Sequence, residues 1–261
     1  TMGISVQWFS EDAGYPVAFP DIEWGLPWND EKAFAIKKGD WDWETGMGKD
    51  MITETEFIRD YGLLVVYSNW SYLKNDYSKK AEFANERLKW VAYVGGKRES
   101  RRLVGDYILT ENELRNQEFL PDGTAPTSWT IDLHYPDPEN LEKFDGEAFR
   151  SIAKHTKIYP YPIPFRCLYS KNVSNLMMGG RDISVSHVAL GTVRLMRTGG
   201  MMGEVLGMAA SVCKEFEITP REIYESHFAD LEELMLKGVG DPDLPFTQTY
   251  NKGGTLLETV E

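Results

Sequence analysis

Apolar and polar positions along this chain change their period several times, and each change predicts a change of element. From residue 1 to 75, short apolar runs such as Ile4 to Phe9 and Leu63 to Tyr67 alternate with Gly-Tyr-Pro and Gly-Leu-Pro turn signals. That pattern reads as sheet strands joined by long loops. Tyr77, Ala81, Ala84, Leu88 and Val91 then recur at the spacing of one helix face, which predicts a helix ended by Gly95-Gly96. Val104 to Thr110 reads as a further strand. Residues 120–146 are rich in Pro, Asp and Gly and read as loop, with room for one strand over Ser128 to Leu133.

The alternate prolines of Tyr159-Pro-Tyr-Pro-Ile-Pro164 exclude a helix or a central strand, because each fixes φ and removes a donor. This stretch is a natural crossing between two parts of the chain. Beyond it the pattern predicts a short strand over Asn175 to Met178 and helices from about Ser186 and about Gly200. Met202, Leu206, Ala209, Cys213 and Phe216 form the apolar face of the second helix. Thr219-Pro-Arg-Glu222 is a helix start, with Thr as N-cap, Pro at the first position and Glu closing a capping box. Tyr224, Phe228, Leu231 and Met235 supply that helix's inner face, Gly238 and Gly240 stop it, and the polar stretch from Asp241 reads as a loosely held tail. No internal repeat or low-complexity tract is present.

Composition narrows the class. The 261 residues, 42% hydrophobic and 26% charged, are those of a soluble globular chain with a sizeable core. A formal net charge of −13 with no basic block argues against nucleic acid and against an anionic membrane surface, and so favours a small-molecule partner. No apolar run approaches the ~18 residues that span a bilayer, and the first residues lack the pattern of a signal peptide. The compartment is left open. Cys167 and Cys213 have no Cys-x-x-Cys spacing and no neighbouring His pair, so no metal site is expected and both read as plain buried thiols. All eight Trp and most of the thirteen Tyr precede residue 162, which fits an aromatic-rich core or an aromatic-lined pocket.

The candidate chemistry concentrates between Asn175 and Ala210. There a predicted strand runs into Gly179-Gly180-Arg181-Asp182, and the following helices carry Gly199, Gly200, Gly203 and Gly207. Strand, glycine turn and helix start aim backbone N–H groups and a positive helix end at one spot, which suits a phosphate or a polarised ring carbonyl. The alternative is that the glycines only let a helix pack closely against a sheet. Elsewhere, Asp40-Trp-Asp-Trp-Glu44 reads as a solvated acidic turn with Trp anchors. It lacks the glycine and later glutamate of an EF-hand loop.

Taken in order, Arg98-Glu-Ser-Arg-Arg-Leu-Val-Gly-Asp-Tyr107, Ile131-Asp-Leu-His134, Tyr161-Pro-Ile-Pro-Phe-Arg166, the Asn175 to Ala210 block and, more loosely, Pro16-Val-Ala-Phe19 resemble the bacterial FAD-dependent oxidoreductases whose members are often labelled xanthan lyase-like. The resemblance runs from residue 1 to about 237. It implies an α+β / α/β architecture: a mainly antiparallel substrate-binding domain (1–160), the C-terminal returning segment of a Rossmann-like FAD-binding domain (161–237), and a tail (238–261). The Gly-x-Gly-x-x-Gly turn that such a family uses for the FAD pyrophosphate does not occur in this sequence. The expectation is therefore a C-terminal portion whose partner is the missing N-terminal half, and which alone binds FAD poorly or not at all.

The resemblance assigns Gly179, Gly180, Arg181 and Asp182 to the ribityl-phosphate part of FAD. It assigns Thr198, Gly199, Gly200, Met201 and Gly203 to the flavin edge. The implied reaction is hydride transfer from a small hydroxylated, carbohydrate-like substrate to the flavin, with a base taking the hydroxyl proton. His187 and His134 are the candidate bases, and Arg101, from the cluster Arg98, Arg101 and Arg102, is the candidate for orienting substrate. Arg98 reads instead as a salt-bridge residue toward Glu99, Asp106 or Glu111, and Arg166 as a bridge between domains. Two rival readings are a non-catalytic carbohydrate- or metabolite-binding module and a polysaccharide lyase.

Overall fold

The computed structural model describes residues 1–144 and 148–239. In chain order the first elements are β1 (Ile4–Ser5), β2 (Trp8–Asp12), β3 (Lys38–Gly39), β4 (Glu44–Thr45), helix α1 (Thr55–Asn75), a 3-10 turn (Lys80–Phe83), β5 (Glu86–Val91) and β6 (Gly96–Lys97). Then come α2 (Glu111–Asn116), β7 (Gly123–Thr127), β8 (Ile131–Pro136), α3 (Pro138–Lys143), β9 (Ser151–Thr156), β10 (Tyr161–Pro164) and a 3-10 turn (Phe165–Cys167). The last elements are α4 (His187–Val193), α5 (Met196–Phe216), α6 (Pro220–Glu222), a π turn (Ile223–His227) and α7 (Phe228–Lys237). Mixed helices and small antiparallel sheets make this an α+β fold. No described helix is long and apolar enough to cross a membrane.

The chain divides into two compact units, Thr1–Ser100 with His134–Ala153, and Arg101–Leu133 with Lys154–Glu261. In the first unit, β1 lies between β4 and β6, and β2 between β3 and β5, every pairing antiparallel. Helix α1 buries Ile58, Val65, Val66, Trp70 and Leu73, and its inner face joins Val6, Trp8, Trp43, Phe83, Phe144 and Phe149 in one aromatic-rich core. Trp8 meets both Trp43 and Trp70 edge to face at ring separations of 5.2 and 5.8 Å, a preferred geometry for aromatic pairs. Trp8, Trp43 and Trp70 thus build core here, whereas Trp24, Trp41 and Trp90 stay exposed.

Two predicted elements exchange places. Leu63 to Tyr67, with its strand-like Val65-Val66 pair, lies in the middle of α1, because Ile58, Val65, Val66, Trp70 and Leu73 share the face that packs on the core. Leu88 to Val91, counted in a predicted helix, is strand β5, because β2 offers it an antiparallel ladder from Trp8↔Val91 to Asp12↔Glu86. Tertiary pairing outweighs local periodicity in both cases.

In the second unit β7 and β10 form a two-stranded antiparallel sheet, with Tyr161↔Thr127 and Pro164↔Gly123 in register. With only one neighbour each, these strands are edges and accept Pro162 and Pro164. Predicted loop 120–146 carries β7, β8 and α3, with β8 overlapping the strand expected over Ser128 to Leu133. Val104 to Thr110 and Asn175 to Met178 form no strand; Leu109 and Met177 make single bridges to Val185 and Tyr169. The two helices expected after residue 186 are present as α4 and α5. At Thr219 the capping box forms as the sequence predicts, with the Thr219 N–H donating to Glu222 Oε2 at 2.8 Å. Gly238, at φ +75°, ends α7. Gly240 and the tail from Asp241 lie outside the described residues.

Gly46 and Gly48 follow β4 at φ +73° and +84°. A Cβ at Gly46 would stand 2.5 Å from Ile58 on α1, whereas one at Gly48 would meet nothing within 4 Å. Gly48→Ala is expected to cost only the left-handed backbone penalty, about 1 kcal/mol. Gly46→Ala adds the overpacking of Ile58, for a total of about 3 kcal/mol. Urea midpoints of the two variants check the difference; equal losses would mean that Ile58 yields freely.

Candidate functional site

Although no strand leads into it, the glycine block is assembled as one surface in the second unit. Met178 N–H donates to the Leu168 carbonyl at 2.7 Å and Leu103 N–H to that of Asp182 at 2.8 Å, which hold the turn between them. Gly180 sits at φ +111°, a conformation other residues rarely adopt. A Cβ at Gly179 would fall 2.8 Å from Leu206 Cδ1, and one at Gly199 would lie 4.0 Å from Gly180 Cα. The turn therefore rests beside the first half of α5. Helix α5 begins after Leu195, which offers no side-chain cap, and its first turn holds no acidic residue. Its leading N–H groups have no partner within the helix, as in any helix.

Close packing accounts for Gly179 but not for three of the helix glycines. At Gly200, Gly203 and Gly207 an added Cβ would meet no atom of the described residues within 4 Å. These three positions, one or two helical turns apart, form a bare strip, while Thr198, Met201, Met202, Val205 and Ala209 are buried on the other side. Backbone that a Cβ would otherwise cover, next to a helix N-terminus, fits the flat ring and polar carbonyls of the expected flavin. Thr198 and Met201 support the strip from beneath. Arg181 and Asp182 are exposed at the turn.

The remaining predicted residues are dispersed. His187 is the first residue of α4, behind Ser186, whose Oγ accepts the Ala189 N–H at 3.2 Å. Arg101 is exposed at the start of the second unit. Arg166 donates from Nε and Nη2 to both oxygens of Asp122 at 2.9 and 2.8 Å, and its guanidinium lies between the rings of Tyr107 and Tyr224. It ties residues 101–133 to residues 154–239 within one unit. Asp106 pairs with Arg221. Cys167 is buried and Cys213 half-buried, both unpaired, and burial pushes the Cys167 thiol up to about 12.

His134 occupies a strand rather than a loop, and it belongs to a cluster that sequence reasoning did not assemble. In the first unit the carboxylate of Glu44, wholly buried, accepts four hydrogen bonds. Gly3 N–H reaches Oε1 at 2.6 Å; His134 Nδ1, Arg98 Nη2 and Ser151 Oγ reach Oε2 at 2.6, 2.6 and 2.7 Å. Trp41 lies against the His134 ring at 5.0 Å. Arg98 is thus a salt-bridge residue, as read, but toward Glu44. Burial raises the Glu44 pKa, yet the His134 hydrogen bond, the charges of Arg98 and His134 and the Ser151 hydroxyl together outweigh it and hold the group below its ordinary value. The hydrogen bond to a carboxylate keeps a proton of His134 on Nδ1, so Nε2 is the nitrogen at which the ring gains or loses its second proton. Glu44 ends the segment read as a solvated acidic turn. Its neighbour Trp43, an inward-facing core residue, was the available signal that the turn is buried at that end.

Glu44→Gln removes the negative charge that compensates Arg98, and a loss of about 3 kcal/mol is expected at neutral pH. Because the folded pKa lies below the ordinary 4.5, the carboxylate's contribution is complete above about that pH and fades as pH falls through the lower folded value. Denaturation of both proteins at several pH values measures it. The gap between them is expected to narrow on acidification, and a gap independent of pH would contradict the ionised network.

Among known proteins, the family model described as FAD dependent oxidoreductase matches residues 17–235. Searches of curated proteins and of solved structures returned no match. The match spans most of both units and includes the whole glycine block, Glu44 and its side-chain partners, and so the chain belongs to the FAD-dependent oxidoreductase family.

Proposed function

We propose that this chain carries the substrate-side domain and the returning flavin-side segment of an FAD-dependent oxidoreductase that oxidises a small hydroxylated, carbohydrate-like substrate. The observation that carries this reading is the bare strip of Gly200, Gly203 and Gly207 beside the Gly179-Gly180 turn, inside a family match of 219 residues by the bounds 17–235. When bound, FAD supplies the acceptor for the substrate's two electrons. The residues of the chain then have distinct tasks. Gly179, Gly180, Arg181 and Asp182 take the ribityl-phosphate part, with Arg181 as the cation. Thr198, Gly199, Gly200, Met201 and Gly203 form the start of α5, whose positive end and bare glycine surface, with Thr198 and Met201 beneath it, are offered to the flavin edge, where negative charge develops on reduction.

His187 and His134 are the proposed proton acceptors for the substrate hydroxyl. His187 belongs to the same unit as the glycine block. His134 has its basic Nε2 fixed by the Nδ1 bond to Glu44. Arg101, exposed and cationic, is proposed to orient hydroxyl or carboxylate groups of the substrate. The strand-turn-helix that grips the pyrophosphate is proposed to come from a further polypeptide segment, since the Gly-x-Gly-x-x-Gly turn does not occur in this sequence. FAD affinity of this chain alone is accordingly expected to be low.

Gly200→Leu and Gly203→Leu test the reading at exposed positions where an added Cβ meets no atom of the described residues within 4 Å, and leucine favours helix over glycine by roughly 0.5–1 kcal/mol. Both variants are expected to match or exceed the parent's thermal stability. Visible flavin absorbance, measured with the completing segment co-expressed, is expected to fall at least about tenfold in occupancy, a loss of ~1.4 kcal/mol. Undiminished flavin in both variants would overturn the assignment of α5.

A further inference from the structure

The first unit contains a second candidate binding surface, on the outer side of α1. Between the loop that follows Pro20 and the outer side of α1 lies a groove of about 480 Å³, lined by Ile22, Trp24, Asp60, Leu63, Leu64 and Tyr67. Its volume falls in the range of small-molecule sites. The groove is built rather than incidental. Ile22 N–H donates to Ser71 Oγ at 3.0 Å, Ser71 Oγ donates to the Pro20 carbonyl at 3.1 Å, and Trp28 Nε1 donates to Ser68 Oγ at 2.9 Å. Gly25 closes a turn onto the Ile22 carbonyl and lies so near α1 that a Cβ would stand 2.5 Å from Ser68 Cβ. Loop and helix are thus fastened on both sides of Trp24. Trp24 itself stays 76% exposed. Leaving so large an apolar ring in water is unfavourable unless it has a partner to cover it.

The chemistry of the walls selects the occupant. Trp24 and Tyr67 offer electron-rich ring faces, which attract cations, while Ile22, Leu63 and Leu64 offer apolar contact. The one polar lining residue is a carboxylate, Asp60. Its Oδ1 takes both Arg59 bonds, from Nε at 2.8 Å and Nη2 at 2.6 Å. Asp21 and Glu23, both exposed, flank Ile22 in the loop and add negative charge to the segment that carries it. No basic side chain lines the groove, and the chain's formal charge of −13 favours cations at long range.

We propose that this groove binds an organic ammonium ion with a small apolar body, the cationic head between Trp24, Tyr67 and Asp60 and the body on Ile22, Leu63 and Leu64. The test uses benzyltrimethylammonium against its neutral isostere neopentylbenzene, followed by ligand-observed NMR on the whole chain. The cation is expected to bind at least about fivefold more tightly than the isostere. Trp24→Ala, at an exposed position, is expected to weaken both compounds, and Asp60→Asn only the cation. Equal affinity for the two compounds would reduce the groove to a plain apolar surface and overturn the proposal. So would cation binding unchanged in both variants, or no binding at all. Self-association that disappears in Trp24→Ala, with no response to the cation, would make the occupant a second copy of the chain and overturn it as well.

Discussion

One buried carboxylate organises the first unit. Glu44 draws a backbone N–H from Gly3 and side-chain donors from Arg98, His134 and Ser151 onto two oxygen atoms, and these residues come from four separate stretches of chain. A carboxylate with no access to water is tolerable only if its lone pairs are filled and its charge matched. The requirement works in reverse as a folding constraint: unless all four stretches arrive, a charge is left stranded. The constraint also fixes the neighbourhood. Gly3 at the carboxylate leads into β1, which pairs with β4 and β6. Trp43, adjacent to Glu44, enters the core against Trp8 and Phe149.

The second unit is held by a different device. Its principal charged pair, Arg166 with Asp122, is bidentate and sandwiched by tyrosines. Polar ties run through backbone and hydroxyl groups, as where Thr127 Oγ1 donates to the Thr192 carbonyl at 2.8 Å and Thr192 Oγ1 to that of Trp129 at 2.6 Å. These ties join β7, the segment before β8 and α4, and none of the described residues covers Gly200, Gly203 or Gly207 on the outer side of α5. A planar guanidinium suits this role because its fork satisfies both carboxylate oxygens while its faces remain free to stack.

What the sequence reveals follows the range of the forces involved. Features decided within a few residues were legible: the Thr219 capping box, the stop at Gly238, the helices α4 and α5, and the exclusion of Pro162 and Pro164 from a helix or a central strand. Features decided by distant partners were not. Val65-Val66 reads as strand until the core claims one side of α1, and Leu88 to Val91 reads as helix until β2 pairs with it. The interleaving of the two units has no local signature at all. The candidate site divides in the same way. Its glycines stand close together in sequence and were found, whereas Glu44, Arg98, His134 and Ser151 are brought together only by folding.

The glycines of α5 also illustrate how a cost points to a role. Each of Gly199, Gly200, Gly203 and Gly207 weakens a helix by roughly 1 kcal/mol relative to alanine. Glycine in a helix is commonly explained by a neighbour that leaves no room for a side chain, as Val6 does at Gly62 on α1, where a Cβ would stand 2.5 Å away. Gly200, Gly203 and Gly207 have no such neighbour among the described residues. Their combined cost, about 3 kcal/mol, has no return in the packing of this chain. In the function proposed above the flavin is the missing partner, since a flat ring system lying on a helix needs the same bare backbone that close packing does. On this argument the destabilised positions of α5 and the exposed Trp24 beside α1 are alike. In each, a surface unfavourable by itself becomes intelligible as one half of a contact.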